Sequence, residues 1–138
     1  MRFPAPAFVF SLVLAGTMVA GGAANADPKG TWLTGTGDAK VRLSDCGPNL
    51  CGTIVWLEEP RADTGNPDPA KRERPLVGVQ MLSGMAPSGT DEWSGKLYNP
   101  RDGKTYTGKI KLNGATLKLS GCVLGGLICK SETWTRAN

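Results

Sequence analysis

Short stretches of alternating apolar and polar residues, each closed by a turn signal, constrain this chain more than any other feature. Ala39-Lys40-Val41-Arg42-Leu43-Ser44 sets Ala39, Val41 and Leu43 on one side. Thr105–Leu112 does the same with Tyr106, Ile110 and Leu112, and Ala115–Ser120 with Ala115, Leu117 and Leu119. A period of two is the mark of a half-buried strand, one face in the core and one in water. No segment sustains a 3.6-residue period. Glycine and proline are abundant (19 and 10 residues), and turn signals recur about every ten residues, so the fold class read here is all-β, a sandwich or barrel. Eight strands are expected, near Gly30–Leu33, Ala39–Ser44, Leu50–Leu57, Leu76–Leu82, Glu92–Tyr98, Thr105–Leu112, Ala115–Ser120 and Ile128–Arg136. Eight antiparallel strands from about 110 residues fit an up-and-down β-barrel, in which closure removes exposed edges.

The turns have their own chemistry. Asn113-Gly114 supplies the positive φ of a tight hairpin, and Asn99-Pro100-Arg101-Asp102-Gly103 puts Pro at the start of a type I turn. One connection stands out. Residues 58–75 carry Pro60, Pro67, Pro69 and Pro75, and a loop of that length in a compact domain is functional or disordered. Repeated fixing of φ by proline makes this one stiff.

Residues 1–26 read as a secretory signal: Arg2 ahead of an apolar stretch, Ala7 to Ala20, then Ala24-Asn25-Ala26 as a small-x-small cleavage site. The alternative is an uncleaved anchor, but the apolar stretch is too short to span a bilayer. Residues 27–138 then form a single domain, exported to the periplasm or secreted, with no integral membrane segment after cleavage. All four cysteines lie in that part, and an even count in a small exported domain indicates a disulfide framework. Four cysteines allow three pairings. The local one, Cys46–Cys51 with Cys122–Cys129, closes two short turns, and the spacing leaves crossed pairings open.

The chain has no histidine, which removes the usual general base and the commonest metal ligand. No glycine-rich phosphate loop leads into a helix, and no metal site, cofactor or catalytic residue is expected. Glu58, Glu59, Asp63 and Asp91-Glu92 lie in loops or at strand ends, where water keeps carboxylates ordinary. An enzyme using carboxylates or tyrosine is therefore the last-ranked reading. The formal charge, +4 for the whole chain, is spread rather than gathered into a stripe, which argues against a nucleic-acid partner.

Two readings of function remain. In the first, the barrel interior holds a small hydrophobic or amphipathic ligand, with Val41, Leu43, Trp93, Leu97, Tyr106, Ile110, Leu117 and Leu119 as lining candidates. In the second, the barrel is filled and the chain acts as a structural or interaction module through the stiff loop, with Arg61, Asp63, Lys71, Arg72 and Arg74 as contact candidates. No protein partner is named by any motif.

Gly30-Thr31-Trp32 at the first strand and Thr133-Trp134-Thr135-Arg136 at the last resemble the calycin superfamily of lipocalins, fatty-acid-binding proteins and avidins. The resemblance implies that Arg136 lies on the face of Trp32 and closes one end of the barrel. A longer match runs through Leu50-Cys51-Gly52-Thr53-Ile54-Val55-Trp56-Leu57 after Cys46-Gly47, Asn66-Pro67-Asp68-Pro69, Arg74-Pro75-Leu76-Val77-Gly78, Gly95-Lys96-Leu97-Tyr98-Asn99-Pro100 and Asp102-Gly103-Lys104-Thr105-Tyr106. By these stretches the chain is similar to the bacterial secreted family catalogued as domain of unknown function 2147. Lys71 departs from it, standing where an apolar residue is expected. The resemblance implies an exported lipocalin-like barrel and implies no activity.

Overall fold

The computed structural model describes residues 27–138, and Gly16 besides; the expected leader, 1–26, lies outside the described residues. Eight strands close into an antiparallel barrel in simple chain order: β1 (Gly30–Leu33), β2 (Ala39–Cys46), β3 (Asn49–Leu57), β4 (Gln80–Gly89), β5 (Glu92–Asn99), β6 (Lys104–Asn113), β7 (Thr116–Val123) and β8 (Ile128–Arg136). Alternation decides which side chains enter. Val41 faces Ile54 across β2–β3, Trp93 faces Ile110 across β5–β6, and Leu112 faces Leu117 across β6–β7. These positions belong to one apolar cluster with Trp32, Leu43, Leu82, Met85 and Trp134.

The fourth strand lies further along the chain than expected. Leu76-Val77-Gly78-Val79 forms a turn, with Val79 N–H donating to the Leu76 carbonyl at 3.0 Å and Gly78 at φ 100°. The strand begins at Gln80 and runs through Gly84 and Pro87, residue types that are unfavourable inside a strand. Two things make this possible. Register shifts beside Ser83 and Pro87 mark bulges. The pairing with β3 extends only to Leu50↔Met85, so Pro87 lies on an edge and needs no ladder donor.

One end of the barrel is sealed as the sequence resemblance implies. Trp32 is fully buried, the Arg136 guanidinium lies 4.3 Å from its ring centroid, and Trp32 Nε1–H donates to the Pro28 carbonyl at 2.8 Å. Arg136 donates onward to the carbonyls of Lys29 (2.9 Å) and Asp27 (2.7 Å). A guanidinium over an indole contributes about 0.5–2 kcal/mol. Gly30 is required here: at φ 126° it brings the backbone so close that a Cβ would sit 2.9 Å from Arg136 Nη1.

Both disulfides are the local pairs. Cys46–Cys51 staples the β2–β3 hairpin at this sealed end, and Cys122–Cys129 staples β7–β8 at the other. Among the described residues no helix is long and apolar enough to cross a membrane.

Candidate functional site

The end opposite Trp32 is built from loops and holds a cavity of about 400 Å³. Its floor exists because two strands give up side chains. Gly108 and Gly121 stand side by side on β6 and β7, facing inward. Leu97 lies across both, so that an added Cβ would meet its atoms at 3.1 and 3.0 Å. Leu119 and Trp134 complete the floor, Ile54, Leu57, Leu76 and Met81 the apolar wall. Below this level Val41, Leu43, Ile110 and Leu117 are buried and Trp93 packs against them. Of the eight expected lining residues, then, Leu97, Tyr106 and Leu119 reach the cavity and the other five fill the barrel beneath it.

The mouth is polar. The β1–β2 loop brings Asp38, which accepts from Thr34 and Thr36 and pairs with Arg101 of the β5–β6 loop at 3.1 Å. The Thr36 hydroxyl, then Thr34 and Arg101, hold the Asp38 carboxyl below its usual range against a smaller opposing effect of burial. Tyr106 O–H donates to Asp102, which raises the Tyr106 pKa. Trp134 Nε1–H donates to Glu132. Two cations on the rim, Arg61 and Lys130, have no carboxylate partner among the described residues. The mouth therefore has apolar depth and a rim of both signs: Arg61 and Lys130 lack a carboxylate partner, while Asp102 and Glu132 are engaged by the neutral donors of Tyr106 and Trp134.

The upper inner face of β8 is unusual. Leu119 faces Glu132 and Gly121 faces Lys130, so both charged side chains belong to the inward set. They are exposed because β1 pairs with β8 only at Trp32↔Arg136 and Leu33↔Thr135. Above that point β8 has no strand partner on this side, and the β1–β2 loop packs against it instead: a Cβ on Gly35 would lie 3.2 Å from the Thr133 carbonyl oxygen. Charge at inward positions of the last strand, Lys130 and Glu132, is the signal in the sequence that could have marked this wet end and that the alternation reading did not use.

The proline-rich loop is organised around an acid, Asp63, that was expected to be solvated and is instead buried. Asp63 is 1% exposed. Its carboxylate accepts from Tyr98 O–H (2.6 Å), Asn66 Nδ2–H (2.8 Å) and Arg74 Nε–H (3.0 Å), and Arg74 Nη2 lies at 2.9 Å. Burial is the largest single effect and would raise the carboxyl pKa. The bonds from Tyr98, Asn66 and Arg74, with the Arg74 charge, together outweigh it and hold the pKa low. Burial and the Asp63 carboxylate push the Tyr98 phenol up to about 12. Asp63 is thus neither ordinary in pKa nor available at the surface, and Arg74 is spent on it. Arg72 donates to the Asn66 carbonyl, Arg61 turns to the cavity rim, and Lys71 is exposed on a single 3-10 turn, Pro69–Lys71. Tyr98 ties the loop to β5, and Gly65 packs against Gly103 so closely that a Cβ on Gly103 would lie 1.9 Å from the Gly65 carbonyl oxygen. The loop is a fixed part of the cavity wall, contributing Leu76 as well as Arg61. Among the described residues no group of three or more Cys, Asp or Glu side chains could hold a metal ion.

A family described as an uncharacterized protein conserved in bacteria, DUF2147, matches residues 30–136. Among solved structures, the barrel is similar to protein HP1028 from the human pathogen Helicobacter pylori, described as belonging to the lipocalin family. The TM-score is 0.75 and the identity 24%, over 82% of this chain and 84% of that one. No curated protein matches the sequence.

Proposed function

We propose that this chain, which belongs to the DUF2147 family of uncharacterized bacterial proteins, binds a small amphipathic molecule in the open end of a lipocalin-like barrel. The observation that carries this reading is the cavity: about 400 Å³, apolar at its floor and wall, with Arg61 and Lys130 unpaired at the rim. That volume is at the lower end of the ~300–1,000 Å³ typical of ligand pockets, so the guest is small. An anionic head group can be held by Arg61 and Lys130, since the rim carboxylates Asp102 and Glu132 already accept from Tyr106 and Trp134, while the apolar part lies on Leu97, Leu119 and Trp134. The role is carriage or sequestration rather than catalysis. The two disulfides suit an oxidising compartment. With the leader read at residues 1–26, they support export to the periplasm or beyond.

Native mass spectrometry of the protein purified from its own host is expected to release a bound small molecule. Calorimetric titration with medium-chain amphiphiles bearing carboxylate, neutral or quaternary ammonium heads is expected to rank carboxylates first. Arg61→Gln with Lys130→Gln lowers that affinity about tenfold. Equal affinity for the cationic amphiphile, or no uptake of any of the three, would overturn the reading.

A further inference from the structure

The hairpin tip between β7 and β8 belongs to neither the core nor the cavity. Val123-Leu124-Gly125-Gly126-Leu127-Ile128 carries no polar side chain. Leu127 is 85% exposed, Leu124 68% and Ile128 58%. Leu124 holds φ 54°, a conformation in which glycine or asparagine is easier and more soluble. The Cys122–Cys129 staple lies immediately behind the tip, so these side chains are presented on a fixed base. The tip leans over the outer wall of the sheet: a Cβ on Gly126 would sit 3.2 Å from Lys109 Nζ.

That wall is positive. Strand register gathers onto it lysines that are scattered in the sequence. Lys96 faces Thr107, Lys109 follows Thr107 on the same side of β6, and Lys111 faces Lys118 on β7. All four are exposed. Lys111 pairs with Glu92, whereas Lys96, Lys109 and Lys118 have no carboxylate partner among the described residues. An apolar tip with Lys109 and Lys96 beside it, and Lys118 further down the same wall, is the chemistry of an interfacial membrane anchor, in which apolar side chains enter the acyl boundary and lysines meet anionic head groups.

We infer that the β7–β8 tip, with Lys96, Lys109 and Lys118, docks this protein on the surface of an anionic lipid bilayer. The narrow convex tip suits a deformable bilayer better than a flat protein face, and the charge beside it complements phosphate head groups. Docking stands apart from the cavity reading, because it is measured on vesicles with no guest present.

The test is flotation of the oxidised protein with vesicles of phosphatidylglycerol and phosphatidylethanolamine, against vesicles of phosphatidylcholine. The protein is expected to float with the anionic vesicles and to be released by salt. Leu124→Ser with Leu127→Ser lowers binding on the order of tenfold or more. Lys96→Gln, Lys109→Gln and Lys118→Gln each lower it roughly fivefold, and the triple variant loses the salt dependence. Both leucines are exposed, so thermal unfolding of the double variant stays at the wild-type midpoint; Leu127→Ser alone serves if it does not. Absence of wild-type flotation, or equal flotation of wild type and leucine variants, overturns the inference. So does a lipid-free, concentration-dependent dimer that the leucine variants abolish, since a second copy would then cover the tip.

Discussion

Replacing Asp63 separates a buried structural charge from a solvated one. Asp63→Ala leaves the Tyr98 hydroxyl, the Asn66 amide and the Arg74 guanidinium without their shared acceptor. A hydrogen bond to a charged group contributes about 1.5–3 kcal/mol. The Arg74 share is discounted to below about 1 kcal/mol, because 37% of its side chain remains in water. The net cost is about 3 kcal/mol, a fall in Tm of roughly 12 °C for a domain of this size. Asp63→Asn is gentler, about 1–2 kcal/mol. Its oxygen can still accept from Asn66 and Arg74 while its N–H turns to Tyr98, but the charge is gone and the Tyr98 proton has lost its acceptor. Thermal and urea unfolding followed by circular dichroism measures both. The pH dependence carries the sharper test. Because the folded Asp63 pKa is lowered, its contribution is present above about pH 4 and is lost as pH falls through the folded value. The gap between wild type and Asp63→Asn therefore closes in acid. Tyr98 works in the opposite sense: raised to about 12, it stabilises fully below pH ~10 and less as pH rises through the folded value. A wild-type midpoint for Asp63→Asn at neutral pH, or a gap that persists unchanged in acid, would refute this account of the loop.

Three further outcomes follow from the geometry. Arg136→Ala lowers stability by about 2 kcal/mol, and Arg136→Lys recovers little of it in the same unfolding assay, since one ammonium cannot stack on Trp32 and reach both carbonyls. Strong reductant lowers Tm, because each short disulfide loop contributes about 2 kcal/mol in the chain-entropy model; an unchanged melting curve would show that the staples are idle. Gly103→Ala forces the β5–β6 loop away from Gly65, whose carbonyl cannot yield as a side chain would. Limited proteolysis then cuts within residues 58–75, which stay intact in the wild type.

Strands with one buried and one wet face were legible because alternation is a local signal, and seven of the eight lie close to where the pattern puts them. Strand β4 was obscured by Gly84 and Pro87, whose strand-breaking chemistry is overridden by a bulge and a free edge that only the neighbouring strands reveal. Trp32 and Arg136 were readable through a resemblance, not through spacing. Asp63 was not readable at all: an acid in a polar loop looks solvated, and its burial depends on Tyr98, 35 positions away. The lower barrel residues Val41, Leu43, Ile110 and Leu117 looked like cavity lining because alternation reports inwardness and says nothing of depth. Depth was set by Gly108 and Gly121, whose missing side chains let Leu97 lie across the barrel.

The weak join between β1 and β8 has a kinetic consequence. It unites the two ends of the domain with two strand pairs, a bond from Ala137 N–H to the Thr31 carbonyl at 2.8 Å, and Arg136 reaching a carbonyl 107 residues away. Every other strand pairing is a local hairpin or the closure of one loop. Contacts of such long separation form late and part first, so amide exchange at Thr31–Leu33 and Thr135–Arg136 precedes that of β5–β7 by an opening smaller than global unfolding. The stave that closes the barrel is thus expected to be the first to open.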